Sequence, residues 1–396
     1  MKFTILPALI AVAFDSLPVN AWFRVPCTTP LVQGTDLTSY YASYVKAYLF
    51  NTIHDSLERI DPIISPGMIP SNHVHTVHGA NGFASNSTYD TLRLSTCSSC
   101  LVAQDMSNYW FAKLYFRDPK TKKFEPVPDG GLLVYYENRG DGDVSNGGAG
   151  LKAFPPGFIM ISGDPTRRSR KYSTGQGSQA ELAERAVEWE CLRYTSSTAG
   201  YSSVDNGPGF PNTDCESGLN ARIHMPACWD GVNLDSPDHV SHTAFLSGLD
   251  NGACPSTHPV PLMKLLDPTG FSWHADFQNG WDTEALQNAI DKCNNPNDPT
   301  GTGITEACSF LTVQSNATLA GECKITPQVN ETIDGVLDRL PGCNPLQDGP
   351  QDAILQTDAK CSDMTSAAYR RLRFRIFRDI LVGLALPLVW AMLLAL

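Results

Sequence analysis

The chain has 396 residues, 41 of them Asp or Glu against 29 Lys or Arg, giving a formal charge of −12. This acidic balance argues against a nucleic-acid partner and suits a soluble extracellular surface. Length alone admits two domains or one large all-β domain, so patterning has to decide between them.

The opening MKFTILPALIAVAFDSLPVNA carries Lys2, an apolar run through Phe14 and a Val19-Asn20-Ala21 ending. These are the parts of a secretory signal peptide over residues 1–21, with cleavage before Trp22. A helix-patterned stretch, DLTSYYASYVKAYLFNTIHDSLERI, spans 36–60. At His73-Val74-His75, strand alternation would put both imidazoles on one face, a spacing that can chelate a metal or pair an acid with a base. Cys97-Ser98-Ser99-Cys100 reads as two structural bridge partners, because no second CxxC exists to complete a zinc site.

Short β-branched or aromatic runs bounded by Gly, Pro, Asn and Asp follow at 109–118, 130–139, 157–164, 186–194, 219–231 and 239–248. Between them, GDGDVSNGGAG (140–150) reads as a rim loop and TRRSRKYSTGQGSQAELAER (166–185) as a solvated excursion. FSWHADFQNGWD (271–282) reads as a strand end running into a helix over 282–294, with Asp282 as N-cap and Glu284 in the first turn. CNNPNDPTGTG (293–303) is turn-rich, and a last helical pattern covers 329–340.

The chain ends in an apolar run, Ile380–Leu396, behind a basic spacer with Arg370, Arg371, Arg373, Arg375 and Arg378 and the small residues Ser366, Ala367 and Ala368. Small site, polar spacer and apolar tail make residues 366–396 a GPI-attachment signal. The alternative is a C-terminal membrane helix, but its arginines would lie on the outer side with none following, against the positive-inside pattern. All 12 cysteines lie between residues 27 and 361, an even count that reads as six disulfides with open pairing. Asn86, Asn316 and Asn330 begin glycosylation triplets. The compartment expected is the extracellular cell surface.

The expected fold is all-β dominated, a jelly-roll-like β-sandwich over residues 22–293 with short peripheral helices. A small disulfide-rich appendage over 294–361 is expected to pack on it.

Eight phrases occur in order: FRVPC, RIDPIISPG with NHVHTVHGANGF, CSSC with SNYWFAKLYF, FPPGFIMISGDP, MPACWDGVNLDSPDHVSHTAF, CPSTHPVPL, DPTGFSWHADFQNGW and LPGCNP. Together they resemble the fungal secreted family catalogued as domain of unknown function nineteen-ninety-six, over most of residues 22–350. The resemblance implies an extracellular fungal protein and supplies no reaction. The helical insertion 36–58 and Ala275, where many relatives have Gly, depart from its pattern.

Seven of nine histidines fall inside those phrases. His274 and Asp276 alternate on one strand face, and His242 follows an Asp-rich turn holding Asp230 and His239. We expect His75, His242, His274 and Asp276 to converge as a catalytic acid–base set, since imidazole and carboxylate can move protons at a sugar ring or glycosidic oxygen. Trp229, Trp273 and Trp281, with Asp230 and His239, are the expected substrate contacts. His73 and His75 are the candidate ligands if a divalent metal is bound; no cofactor is required by the pattern. The leading expectation is a carbohydrate-active protein cleaving a wall or environmental polysaccharide. The alternatives are a non-catalytic wall-binding or adhesion protein and an extracellular metal-binding protein.

Overall fold

The computed structural model describes residues 21–27, 31, 59–127, 131–191, 206–207, 215, 219–267, 273–293, 304–314 and 317–354. Residues 1–20, the helical pattern of 36–58 and the C-terminal tail lie outside these. In chain order the strands are β1 Ala21–Cys27, β2 His75–Gly79, β3 Asn108–Ala112, β4 Tyr115–Arg117 and β5 Phe124–Pro126. Next come β6 Leu132–Glu137, β7 Ile159–Gly163, β8 Val187–Cys191, β9 Asn206–Gly207 and β10 Leu219–His224. Last are β11 Cys228–Trp229, β12 Thr243–Ala244, β13 Val260–Pro261, β14 Lys264–Asp267 and β15 His274–Gln278.

Two antiparallel sheets carry the body: a six-stranded one ordered β1-β6-β14-β10-β8-β9 and a four-stranded one ordered β2-β3-β15-β7. Each sends alternate residues into a common core, with Phe23, Val25, Val134, Tyr136 and Leu265 from the first meeting Tyr109, Phe111, Met160, Ala275 and Phe277 from the second. The protein is thus dominated by antiparallel β-structure, as the sequence pattern suggests. A polar thread crosses this core: the Tyr109 hydroxyl donates to Asp105 at 2.6 Å and lies 2.5 Å from the Tyr136 hydroxyl, which accepts from Trp281 Nε1 at 2.7 Å.

The four-stranded sheet is covered on its other side too. There Val77, Trp110 and Ile161 pack against Ile60, Ile63 and Phe83 from the 59–85 segment and against Cys323. Coverage on both faces explains why β2 and β15 are buried along their whole length instead of alternating.

Five disulfides are described, Cys27–Cys100, Cys97–Cys323, Cys191–Cys215, Cys228–Cys254 and Cys293–Cys308. The CxxC cysteines therefore bridge to distant partners and not to each other. Cys343 is unpaired among the described residues, which exclude Cys361. The C-terminal segment is stitched along the body: Thr305 bonds the backbone of Arg24, Arg59 pairs with Glu331 at 2.5 Å, Ile333 packs on Val74 and Leu337 bridges Phe124.

Some local expectations are corrected. Residues 329–340 form no helix, because Gly335 takes a left-handed φ of 76° and Ile333 and Leu337 are spent on contacts with the body. The excursion at 166–185 ends in a helix, Gln179–Arg185, capped by Ser178, whose Leu182 is buried. In 239–248 only Thr243–Ala244 is strand, since Asp238 turns the chain by accepting from the Val240 and Ser241 amides. The helix expected after the FSWHADFQNGWD motif runs Thr283–Lys292, with the Asp282 carboxylate accepting from the Ala285 amide at 3.0 Å.

Candidate metal centre

Pairing within the four-stranded sheet brings the conspicuous histidines together. On β2, His75 pairs with Ala112 of β3; continuing the β3–β15 register by one residue sets His274 opposite the same alanine. The small side chain between them lets the two imidazoles reach over it, and their Nε2 atoms lie 3.3 Å apart. His73, just before β2, brings its own Nε2 to 3.3 Å from that of His274. Asp276, one pleat along β15, places Oδ2 3.3 Å from the same nitrogen.

His73, His75 and His274 form a set whose ligating atoms all lie within 4.8 Å of one another. Imidazole nitrogens bound tetrahedrally at about 2.0–2.1 Å from a Zn²⁺-like ion stand about 3.3 Å from each other, the separation seen for both measured pairs. The tautomer of His75 also suits a ligand. Its Nδ1 lies 3.0 Å from the Ile60 carbonyl, which can only accept, so Nδ1 carries the proton and Nε2 presents its lone pair.

Burial discharges the four groups. Loss of water lowers His73 to about 4, with the Arg59 charge adding to the effect. It holds His75 and His274 well below the usual imidazole value, reinforced by the neighbouring histidines. Burial, and then the nearby Asp61, raises Asp276 well above the usual carboxylate value. Neither oxygen of Asp276 accepts a hydrogen bond from the described residues, and His274 Nδ1 likewise has no partner. Neutral imidazoles beside an unsatisfied buried carboxylate form a donor set that a cation would complete.

Other expected residues lie elsewhere. His242 does not join the cluster: it is buried, with Nε2 donating to the Ile159 carbonyl at 2.9 Å and Nδ1 3.0 Å from the Ser236 hydroxyl, so both nitrogens are spent on structure. Trp273 and Trp281 are core residues, 8% and 0% exposed, and offer no sugar a face. Trp229 is half-buried, its Nε1 donating to the Asn233 carbonyl, and Asp230 caps the same turn by accepting from the Val232 and Asn233 amides. His239 bonds Asp235 at 2.8 Å and approaches the cluster indirectly, its charge acting on Asp61.

Asp61 and Arg59 flank the site and carried no assigned role in the sequence. They stand in RIDPIISPG, where only the adjacency of Arg and Asp to a Pro turn hinted at it. Asp61 accepts from the Ile63 and Ile64 amides and is pushed up by burial.

A family model described as Domain of unknown function (DUF1996) matches residues 61–267, more than half of the chain. No curated protein and no solved structure matches.

Proposed function

The chain belongs to the DUF1996 family, whose description assigns no reaction, and from that premise we propose a secreted, cell-surface metalloprotein acting on carbohydrate. In this reading one divalent transition-metal ion is held by His73, His75 and His274, with Asp276 beside them. The observation that carries it is the meeting of three imidazole nitrogens from distant segments next to a buried carboxylate that has no hydrogen-bond donor among the described residues.

When bound, such an ion acidifies a coordinated water and polarises an oxygen of a substrate. The chain's own contribution is to hold the ligands: Ile60 fixes the His75 ring through Nδ1, and Asp276, with Oδ2 3.3 Å from His274 Nε2, would supply a further oxygen ligand. His73 alone of the three is not fully buried, so access to the centre is from its side. The extracellular setting is supported by the disulfides and by the leader and tail patterns, and the carbohydrate class by that setting.

Protein purified without a histidine tag and analysed by elemental mass spectrometry tests the centre. About one equivalent of a transition ion is expected, lost in His274→Ala. Substoichiometric metal together with a melting temperature indifferent to chelator would defeat the proposal. Incubation with a polysaccharide panel, scored for new reducing ends or unsaturated products before and after metal removal, tests the substrate class.

A further inference from the structure

Two of the three imidazoles stand in hydrogen-bonded strands, and the third does not. β15, paired with both β3 and β7, carries His274, and β2, paired with β3, carries His75. The ladder beside β2 gives out at Val74, whose carbonyl accepts from the Lys113 amide at 2.9 Å. His73 lies one residue beyond it and is half-buried. A functional site tolerates displacements of only about 0.5 Å, so a ligand outside the ladder is placed only as well as its turn is held.

That turn is held by side chains, at three consecutive carbonyls. Arg59 Nη1 donates to the Ser71 carbonyl at 2.7 Å, Asn344 Nδ2 to the Asn72 carbonyl at 2.9 Å, and the Ser71 hydroxyl to the His73 carbonyl at 3.2 Å. The Ser71 amide returns a bond to the Arg59 carbonyl at 2.6 Å.

The first two of these bonds depend on the C-terminal segment. Glu331 accepts from Arg59 Nε at 2.5 Å with one carboxylate oxygen and from the Gly342 amide at 2.8 Å with the other. Asn344 Nδ2 also donates to the Pro341 carbonyl at 3.0 Å, which fixes its amide plane over Asn72. Gly342 is where the two chains come closest. Its φ of 69° is left-handed, and a Cβ there would stand 2.9 Å from the Asn72 carbonyl oxygen and 3.1 Å from Arg59 Nη1. Only glycine meets both demands without moving the turn.

The segment is fastened to the body without these contacts, by the Cys97–Cys323 bridge, by Ile333 packed on Val74 and by Leu337 bridging Phe124. The polar contacts are directed instead at the residues leading into a ligand. We infer that Glu331, Gly342 and Asn344 are positioning residues of the metal centre, setting His73 through the backbone of the 71–73 turn. This rests on the metal centre proposed above. The sheet alone supplies two imidazoles, and the C-terminal turn secures the third.

Titration of the purified, metal-free protein with Co²⁺, followed by visible absorption, tests the inference, because the spectrum reports the number and arrangement of the ligands. Asn344→Ala is expected to bind Co²⁺ about tenfold or more weakly than the wild type and with an altered spectrum, and Gly342→Ala to do the same. Tyr115→Phe is the structural control. It removes the bond from the Tyr115 hydroxyl to the Ile333 carbonyl, another tie on the same segment that does not touch the 71–73 turn. Its affinity and spectrum are expected to match the wild type, whatever its melting temperature. An unchanged affinity and spectrum in Asn344→Ala, or an equal loss in Tyr115→Phe, would overturn the inference while leaving the metal centre standing. Absence of Co²⁺ binding by the wild type would overturn the metal centre itself, and this inference with it.

Discussion

His75 and His274, 199 residues apart in the chain, bring their Nε2 atoms within 3.3 Å of each other, over Ala112. The strand between them contributes mainly by being small at that point. Ala112→Leu should wedge the imidazoles apart at a cost of about 1–3 kcal/mol in stability. Metal stoichiometry measured on the folded variant should fall below half an equivalent; full retention would mean that the gap over Ala112 plays no part.

Asp276→Asn separates the carboxylate's role from its burial. The change keeps the shape and removes an ionisable group whose oxygens no described donor satisfies, so the metal-free protein should melt at about the same temperature. Metal affinity should drop about 10–100-fold. A competition titration with a chromophoric chelator reads the second quantity and thermal melting the first.

A pH dependence is expected from Asp105, which burial raises to about 6 despite bonds from the Ser107 amide and the Tyr109 hydroxyl. Between the unfolded value of 3.8 and about 6, the folded chain holds a proton that the unfolded chain has released, so stability falls as pH rises through this window. The loss amounts to about 3 kcal/mol. Denaturant unfolding of wild type and Asp105→Asn at both ends of the window should show the variant gaining on the wild type toward neutral pH.

Tyr136→Phe should be costly although it removes one oxygen. That hydroxyl accepts from Trp281 Nε1 and contacts the Tyr109 hydroxyl, and all three side chains are buried. Stranding the indole donor costs about 1–3 kcal/mol. Trp281→Phe in the same background should then cost less than it does alone, a coupling that a double-mutant cycle measures.

Much of this was legible in the sequence where period-two alternation could be read directly. His274 with Asp276 falls on one face of β15 as expected, and His73 with His75 reaches one point. The Asp282 cap was visible because an N-cap is a local property. Which histidines meet was not legible, because strand pairing across 199 residues decides it. His242 looked equivalent in sequence, yet the Ile159 carbonyl of β7 and the Ser236 hydroxyl of its own turn absorb both its nitrogens. Trp273 and Trp281 looked like a platform and became core, the commoner fate of large aromatics.

The central place of β15 bears on how the molecule can be cut. It lies between β3 and β7 and supplies Ala275 and Phe277 to one side and His274 and Asp276 to the other. A recombinant fragment bounded at residues 61 and 267 would leave β3 and β7 with bare hydrogen-bonding edges, lacking β1 as well. Such a piece should aggregate on expression, and the smallest autonomous folding unit must reach past the helix that ends at Lys292.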